Sequence, residues 1–376
     1  MYAILARGWL AGRRRDGTLD RYAGCLLGGA VGDALGAPVE FLSLGEIHRR
    51  FGTAGIVDFA PAYGKLGAIT DDTQMTLFTA EGMLRSYVRA KLRGICAIPT
   101  VVCHAYLRWL LTQGMTPRNP TLHVHTSGWL WTEKILHQQR APGNTCIAAL
   151  MARDRASSIR AENNSKGAGG IMRVAPVAMM FAGQSDHAVE VFTIGKETAW
   201  LTHGHPTGYL SAGAFAVILH ALLCDDTFES GIERARAFLS AEADSAETIA
   251  AIDLSLALAE SERNPERALA RIGGAWVAEE ALAASVYCTL LAEDFASGVR
   301  MAVNHDGDSD TTGSLTGQLL GAILGEHSIP KPWLEALEAR EVIAQVANDL
   351  CEYRNWKLDD SGDDAERVIE ERYPGG

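Results

Sequence analysis

Three aspartates alternate in the stretch "VNHDGDSDTTGSLTG", at Asp306, Asp308 and Asp310. Carboxylates this close repel one another, so a bound cation would explain the pattern. A calcium loop of the EF-hand type requires glycine at its sixth position and glutamate at its twelfth. Thr311 and Gly317 occupy those two positions here. The stretch is therefore not an EF-hand loop, and its oxygen-rich side chains need another explanation.

A second acidic stretch, Thr70, Asp71, Asp72 and Thr73, stands directly before an amphipathic run. One interpretation is a helix N-cap, because Asp and Thr accept the free backbone N–H groups and negative charge suits that end of the helix. A cap needs only one such side chain, however, and the same oxygens suit Mg²⁺ or Mn²⁺. Two independent caps and one shared metal site are both open interpretations of the two clusters.

Two segments carry glycine at every fourth position, which on a helix forms a smooth strip that allows another helix to approach closely. These glycines are Gly28, Gly32 and Gly36 in the first segment and Gly313, Gly317, Gly321 and Gly325 in the second. The first segment has neither a Walker A lysine nor G-x-G-x-x-G spacing, so it is not a phosphate loop. We therefore expect two small-faced helices to pack together and two acidic helix starts to converge. Asp33 and Glu40, beside the first strip, are carboxylates that need a partner if buried.

Helical periodicity dominates the chain and alanine is abundant, so we predict an all-α fold. The predicted helices lie at 73–92, 187–203, 228–241, 246–261, 278–303, 313–325 and 333–351. The apolar run 209–224 is short for a membrane span and contains His220, which predicts a buried helix.

Composition narrows the function classes. The 376 residues are 47% hydrophobic and 21% charged, which is typical of a globular protein with one large domain or two to three smaller ones. The net charge of −12 argues against nonspecific binding to nucleic acid or to an anionic membrane. Seven scattered cysteines without a C-x-x-C pair predict reduced thiols and a cytoplasmic location.

Five stretches taken together resemble the ADP-ribosylglycohydrolase family. They are "GGAVGDALGAPVEF", "TDDTQMTL", "NNSKGAGGIMRVAPVAM", "ETAWLTHGHPTGYLSAGAFA" and "NHDGDSDTTGSLTGQLLGAILG", in family order from residue 28 to residue 325. Each is weak alone, but five in order are specific. The resemblance implies a single compact multi-helix domain, which we place at 19–358, between an N-terminal extension (1–18) and an acidic C-terminal end (359–376).

The resemblance also implies a centre of two Mg²⁺ or Mn²⁺ ions. Carried over by motif, the metal ligands are Thr70, Asp71, Asp72, Asp308, Asp310 and Thr311. The implied catalytic residues are Glu40, Asp71 and Asp308, with the choice of general base left open. Asp306 stands where relatives commonly have a small residue, so it is not included.

The loop 164–173, "NSKGAGGIMR", resembles the family's glycine-rich segment that faces the ADP-ribose phosphates. Glycines allow backbone N–H groups to approach anionic oxygens, which agrees with that role. The implied substrate-binding residues are Lys166, Gly167, Gly169, Gly170, Arg173 and His203. Arg173 could equally be a buried pairing residue, and His203 could be structural.

The implied activity is hydrolysis of the N-glycosidic bond between ADP-ribose and a protein side chain, most simply arginine. One alternative is an inactive homologue that binds ADP-ribose or a partner. Another is an immunity protein that neutralises an ADP-ribosylating toxin by binding it, by reversing its modification, or both. In that case an arm with Trp9 and the run Arg13–Arg15 could contact a partner, although a disordered start is the simpler interpretation.

Overall fold

A computed structural model describes residues 17–358 and 364–375, and these residues form eighteen α-helices and no β-strand. The predicted all-α, single-domain fold is confirmed. The helices are α1 (Thr18–Gly36), α2 (Leu44–Phe51), α3 (Asp71–Arg93), α4 (Ile98–Thr112), α5 (Trp129–Thr132), α6 (Asn144–Met151), α7 (Ala175–Met180), α8 (Ala188–Trp200), α9 (Pro206–Leu223), α10 (Phe228–Ser240), α11 (Ala246–Ser261), α12 (Pro265–Ile272), α13 (Ala278–Leu291), α14 (Phe295–Val303), α15 (Ser309–Leu324), α16 (Lys331–Ala336), α17 (Arg340–Glu352) and α18 (Asp364–Arg372).

The centre of the fold is the antiparallel pair α1 and α15, which pack through their glycine strips. A Cβ atom on Gly321 would lie 1.8 Å from the carbonyl oxygen of Gly24, and one on Gly36 would lie 2.5 Å from the Cα of Asp310. The predicted close packing of two small-faced helices is confirmed. Because the helices run antiparallel, the end of α1 lies beside the acidic start of α15.

Helix α9 is long and apolar enough, by length and composition alone, to cross a membrane. However, 89% of it is buried inside the structure, where it packs against α8, α10 and α13. It is the core helix that the sequence predicted.

Two predicted helices are interrupted. The run 278–303 divides into α13 and α14, because Asp294 caps α14 by accepting from the backbone N–H of Ser297 at 2.7 Å. The run 333–351 divides into α16 and α17 at Ala339, which has a left-handed backbone with φ of 56°. The prediction of one continuous helix was wrong in both places, since periodicity alone does not show an internal cap or a left-handed residue.

Both predicted terminal segments fall partly outside the described residues. Residues 1–16, with Trp9 and the arginine run, lie outside them, as do residues 359–363. The described part of the acidic C-terminal end, residues 364–375, packs on the domain. Tyr373 is fully buried, and its hydroxyl donates to Asp349 Oδ2 at 2.7 Å.

Candidate active site

Acidic side chains from three helix ends converge in one cavity of about 630 Å³. Glu40 follows α1, while Asp308 and Asp310 stand at the start of α15. One carboxylate oxygen of each of these three residues lies within 4.8 Å of the other two. The further predicted metal-site residues that line the same cavity are Asp71, Asp72 and Thr311.

The start of α3 shows why its two aspartates are not needed as caps. The Thr70 hydroxyl accepts from the backbone N–H of Asp72 at 3.2 Å. Asp33, from α1, accepts from the backbone N–H of Thr70 at 3.0 Å and from that of Thr73 at 3.1 Å. The side chains of Thr70 and Asp33 therefore cap the helix. The carboxylates of Asp71 and Asp72 are not needed as caps, and they line the cavity.

At the start of α15 the cap and the cluster share side chains. Asp308 is the N-cap residue, and the backbone N–H of Thr311 lies 3.4 Å from its Oδ1 and 3.0 Å from Oδ1 of Asp310. These hydrogen bonds use part of the acceptor capacity of each carboxylate, which offers about four lone-pair sites. Capping and cation binding are therefore compatible at this helix end.

Burial and mutual repulsion disfavour the charged forms of these acids. Burial raises the pKa of Glu40 to about 10, and the carboxylates of Asp310 and Asp308 add to the rise. Burial raises the pKa of Asp33 to about 7 and that of Asp308 to about 6. The pKa values of Asp71, Asp72 and Asp310 are also raised well above the ordinary value, mainly by burial. A nearby cation would reverse this penalty.

The residues present fit a hard divalent cation. Glu40 Oε2 and Asp72 Oδ1 are buried, and neither has a hydrogen-bond partner among the described residues. Buried polar atoms are nearly always paired, so these two oxygens are available to a cation or to a water molecule beside it. The donors that line this part of the cavity are carboxylate and hydroxyl oxygens, which Mg²⁺ and Mn²⁺ prefer over softer donors.

The segment 274–278 connects the acidic cluster to the glycine-rich loop. The backbone N–H of Asp308 donates to the carbonyl of Gly274 at 2.9 Å, and the N–H of Ala168 donates to the carbonyl of Trp276 at 3.1 Å. The loop is thereby held against the same cavity as the carboxylates. The carboxylates and the glycine-rich loop therefore line two sides of the same cavity.

The predicted substrate-binding residues do not all reach this space. Gly167, Gly169 and His203 line the cavity. Gly170 does not, and a Cβ atom there would lie 3.1 Å from the side chain of Ala199. It allows the loop to pack closely behind the wall.

Lys166 is also not among the residues that line the cavity. Its ammonium group forms ion pairs with Glu247 on α11, at 3.0 Å, and with Glu279 on α13. The Lys166 ammonium group therefore ties the glycine-rich loop to these two helices. A direct role of Lys166 with substrate remains a prediction.

Arg173 lies behind the cavity wall and is fully buried. Its Nη2 donates to the hydroxyl of Thr202 at 2.6 Å, and its guanidinium group lies 4.2 Å from the ring centroid of Tyr106. Thr202 Oγ1 in turn lies 2.8 Å from Nδ1 of His203. Arg173 is thus a buried residue that is paired with neighbouring side chains, one of the two roles that the sequence left open. It is connected to the cavity only indirectly, because Thr202 lies between it and His203.

Sequence reasoning missed an aromatic pair at the cavity mouth. Phe41 and Trp276 both line the cavity, and their rings stack with centroids 5.9 Å apart and an interplanar angle of 17°. They are 70% and 47% exposed. Phe41 adjoins the candidate acid Glu40, but nothing local in the sequence connects it with Trp276, 235 positions later.

Asp306, the first aspartate of the alternating row, has a different role from its neighbours. It is exposed, and its Oδ1 accepts from the backbone N–H of Leu44 at 2.6 Å. Leu44 is the first residue of α2, where backbone N–H groups have no partner within the helix. Asp306 thus holds the chain just after Glu40, outside the cluster.

This all-α domain thus has a cavity lined by clustered carboxylates on one side and by glycines on the other, which is the kind of concave site where enzymes bind substrates. The profile of the ADP-ribosylglycohydrolase family matches residues 14–359, and the chain belongs to that family. It is therefore an ADP-ribosyl hydrolase, as its five motifs predicted.

Several relatives are similar over most of their length. An uncharacterised protein of Archaeoglobus fulgidus is 28% identical over 89% of this chain and 96% of its own. ADP-ribosyl-[dinitrogen reductase] glycohydrolase of Rhodospirillum rubrum is 26% identical over 87% and 94%. ADP-ribosylarginine hydrolase Tri1 of Serratia proteamaculans is 25% identical over 89% and 79%. A solved structure described as an ADP-ribosylglycohydrolase-related protein complex superposes with a TM-score of 0.64 at 26% identity, covering 90% of this chain and 99% of that one.

Proposed function

We propose that this protein removes ADP-ribose from modified arginine side chains by metal-dependent hydrolysis of the N-glycosidic bond. The observation that carries the proposal is the convergence of Glu40, Asp308 and Asp310 within 4.8 Å, in a cavity that Asp71 and Asp72 also line. A cluster of this kind suits the positively charged transition state of glycoside cleavage. The name of the Serratia relative, an ADP-ribosylarginine hydrolase, supports arginine as the modified side chain.

The carboxylate and hydroxyl oxygens of six residues would hold two Mg²⁺ or Mn²⁺ ions. These residues are Thr70, Asp71, Asp72, Asp308, Asp310 and Thr311. When bound, such ions supply positive charge that orients the hydroxyl groups of the distal ribose.

Glu40 is the residue that we assign to proton transfer. Its Oε2 has no hydrogen-bond partner among the described residues, whereas Asp71 and Asp308 already accept backbone N–H bonds. Glu40 also directly precedes Phe41 at the cavity mouth, the side from which water and substrate enter. It would accept a proton from the attacking water as the water oxygen bonds to the anomeric carbon and the bond to the arginine nitrogen breaks. The departing guanidine group would then take up that proton, while the other carboxylates stabilise positive charge at the anomeric carbon.

The remaining lining residues would orient the substrate. The backbone N–H of Gly169 and the His203 ring would bind the diphosphate. The N–H of Gly167 already donates to the Ser165 hydroxyl at 3.3 Å, so Gly167 would act by letting the backbone come close to the ligand. The exposed Phe41–Trp276 pair offers a flat aromatic surface at the mouth, which suits the planar, cationic guanidinium group of arginine.

The test compares two aspartates that lie two positions apart. Release of ADP-ribose from an ADP-ribosylarginine protein would be measured with Mg²⁺ or Mn²⁺ after treatment with EDTA. We expect Asp308→Asn to lower the rate by at least about a hundredfold. Asp306→Asn should retain activity, because its amide oxygen still accepts from the Leu44 N–H. Full activity in EDTA, or in Asp308→Asn, would refute the metal assignment.

A second assay addresses the linkage. Substrates with ADP-ribose on arginine, serine and glutamate would be compared at equal concentration. We expect the arginine linkage to be cleaved fastest, and faster cleavage of the serine linkage would contradict the proposed substrate.

All seven cysteines lie in the described part of the chain and are free thiols. This supports the proposal that the protein works in the cytoplasm, where thiols stay reduced. Thermal stability that is unchanged by reductant would agree with it, and a disulfide found in the native protein would contradict it.

A further inference from the structure

A second cavity, of about 440 Å³, lies against the C-terminal half of α3 and the start of α4. Its lining includes Arg85 and Arg89 of α3 and the last described residues, Pro374 and Gly375. Arg85 follows Asp71 by fourteen positions on the same helix, which places its backbone roughly 21 Å from the acidic cluster. The cavity is therefore separate from the candidate active site.

Basic side chains dominate this cavity. Its ionisable lining residues, apart from the thiol of Cys96, are Arg85, Arg89, His104, Arg108 and His125. No acidic side chain of residues 17–358 or 364–375 lines it, although the whole chain carries a net charge of −12. A positive cavity in an acidic protein points to an anionic ligand.

Two of these arginines form ion pairs with the same buried carboxylate, that of Glu81. Glu81 Oε1 accepts from Arg85 Nη2 at 2.9 Å, and Glu81 Oε2 accepts from Arg108 Nε at 3.0 Å and Nη2 at 2.8 Å. The arginine side chains are only 6% and 3% exposed, so among the described residues two guanidinium charges share one carboxylate charge. Arg85 also donates to the hydroxyl and the carbonyl of Ser127, which are neutral acceptors. Arg85 Nε is also buried, and it has no hydrogen-bond acceptor among the described residues.

The other basic groups add to the positive potential. Arg89 Nη1 donates at 3.1 Å to the Gly375 carbonyl, a neutral acceptor, and Arg89 forms no ion pair with an acidic side chain of residues 17–358 or 364–375. Burial, together with the charges of Arg108, Arg85 and Arg89, lowers the pKa of His104 to about 4. The cavity thus disfavours another positive charge and would favour a negative one.

We propose that this cavity binds a phosphate group, either as inorganic phosphate or as part of a phosphorylated small molecule. Guanidinium groups match the geometry of phosphate oxygens and form strong charge-assisted hydrogen bonds with them. The hydroxyls of Thr100 and Ser127 also line the cavity and supply neutral donors. The volume lies within the range of small-molecule sites. This site is independent of the proposed hydrolase reaction.

The imidazole of His104 provides a reporter for NMR. The full-length protein, labelled with ¹⁵N at histidine, would be titrated with sodium phosphate and, as a reference, with sodium chloride at matched ionic strength. We expect phosphate to give saturable shifts at His104 and to raise its pKa by about one unit. A parallel titration with adenosine monophosphate distinguishes the sources, since a nucleotide ligand should saturate at lower concentration than inorganic phosphate.

Two arginines of the same helix give a matched pair of variants. Arg89 lines the cavity, whereas Arg93 is exposed and does not line it. Arg89→Met should weaken phosphate binding by about tenfold, the effect of losing one charge-assisted hydrogen bond. Arg93→Met should bind phosphate as the unmodified protein does. Equal affinity in both variants, or equal responses of His104 to phosphate and chloride, would overturn the proposal.

Discussion

At the scale of single residues, the two ring nitrogens of His203 have different surroundings. Nδ1 lies 2.8 Å from the Thr202 hydroxyl, which already accepts from Arg173. The hydroxyl can donate its one proton to Nδ1 or to the Ala199 carbonyl, which is farther away at 3.4 Å. The shorter distance favours Nδ1 as the acceptor, which assigns the ring proton to Nε2. Nε2 lies near Gly167, where it serves the cavity wall as a fixed donor.

This arrangement predicts the effect of Thr202→Val. The variant removes the hydroxyl that donates to Nδ1, so the Nε2–H tautomer should lose its preference, while Thr202→Ser should restore it. Long-range ¹H–¹⁵N spectra of the imidazole would identify the tautomer. Burial and the Arg173 charge hold the pKa of His203 at about 3, so the ring should stay neutral near pH 7 in each protein. An Nδ1–H tautomer in the unmodified protein would contradict this assignment.

The aromatic pair at the cavity mouth gives a prediction about specificity. Trp276→Ala should raise KM for an ADP-ribosylarginine substrate by about tenfold with little change in kcat, because it removes a cation–π surface of about 1–2 kcal/mol. Trp276→Phe should keep most of the affinity. Steady-state kinetics with arginine-linked and serine-linked substrates would test this. An equal KM increase for both linkages would show that Trp276 does not recognise guanidinium.

At the scale of helices, the packing of α1 against α15 is highly sensitive to side-chain volume. A Cβ atom on Gly32 would lie 1.9 Å from the carbonyl oxygen of Gly313, and backbone atoms cannot move aside easily. Gly32→Ala should therefore lower the free energy of unfolding by about 3 kcal/mol. Urea denaturation would measure the change.

Gly45 provides the control for this prediction. It lies in α2, and no atom is found within 4 Å of a Cβ built there. Gly45→Ala should be neutral or stabilising by up to about 1 kcal/mol, because alanine favours helix. Similar losses in both variants, or no loss in Gly32→Ala, would show that close contact with α15 does not determine the effect.

Helix identity was largely predictable from the sequence, but interruptions were not. Repeats of three and four residues placed α3, α8, α10 and α11 within a few positions of their observed ends. The breaks at Asp294 and Ala339 fall inside runs that are otherwise favourable for helix. A reciprocal cap and a left-handed alanine depend on the surrounding packing, which cannot be read from a local sequence pattern.

The convergence of acidic side chains was predictable where one short stretch contains several carboxylate and hydroxyl groups. "TDDT" and "DSDTT" therefore identified two starts of helices, and the glycine strips indicated that the second of these starts lies beside the end of α1. The roles of Arg173 and Lys166 depend on partners tens of residues away, such as Thr202 and Glu279. The charge of these two side chains and their position in a motif could not show that Arg173 is already bonded to Thr202 and Lys166 to Glu279.

At the scale of the whole molecule, the buried acids predict how stability changes with pH and metal. Without a cation, burial holds the pKa of Glu40 at about 10, above its ordinary 4.5. The folded protein then binds more protons than the unfolded chain between these values, so its free energy of unfolding falls as pH rises. Thermal unfolding of EDTA-treated protein should show a Tm that decreases steadily from pH 6 to pH 9.

Mg²⁺ or Mn²⁺ should raise the Tm and flatten this pH dependence, because bound cations favour the ionised carboxylates. At a hundredfold excess over Kd, one bound ion stabilises the folded state by about 2.7 kcal/mol. Asp308→Asn should lose much of this response to metal. A Tm of the EDTA-treated protein that is constant or rises over this pH range would contradict the buried, protonated state of the cluster.

The α1–α15 pairing also has a consequence for biosynthesis. The two helices lie about 280 residues apart in sequence, and loop-closure entropy opposes contacts of such long range. A ribosome completes α1 and α3 long before it completes α15, which supplies Asp310 and follows directly after Asp308. Until then the acidic cluster lacks Asp308 and Asp310, so the nascent chain has no assembled candidate active site. A reaction that needs both halves of the cluster could therefore begin only after α15 has left the ribosome.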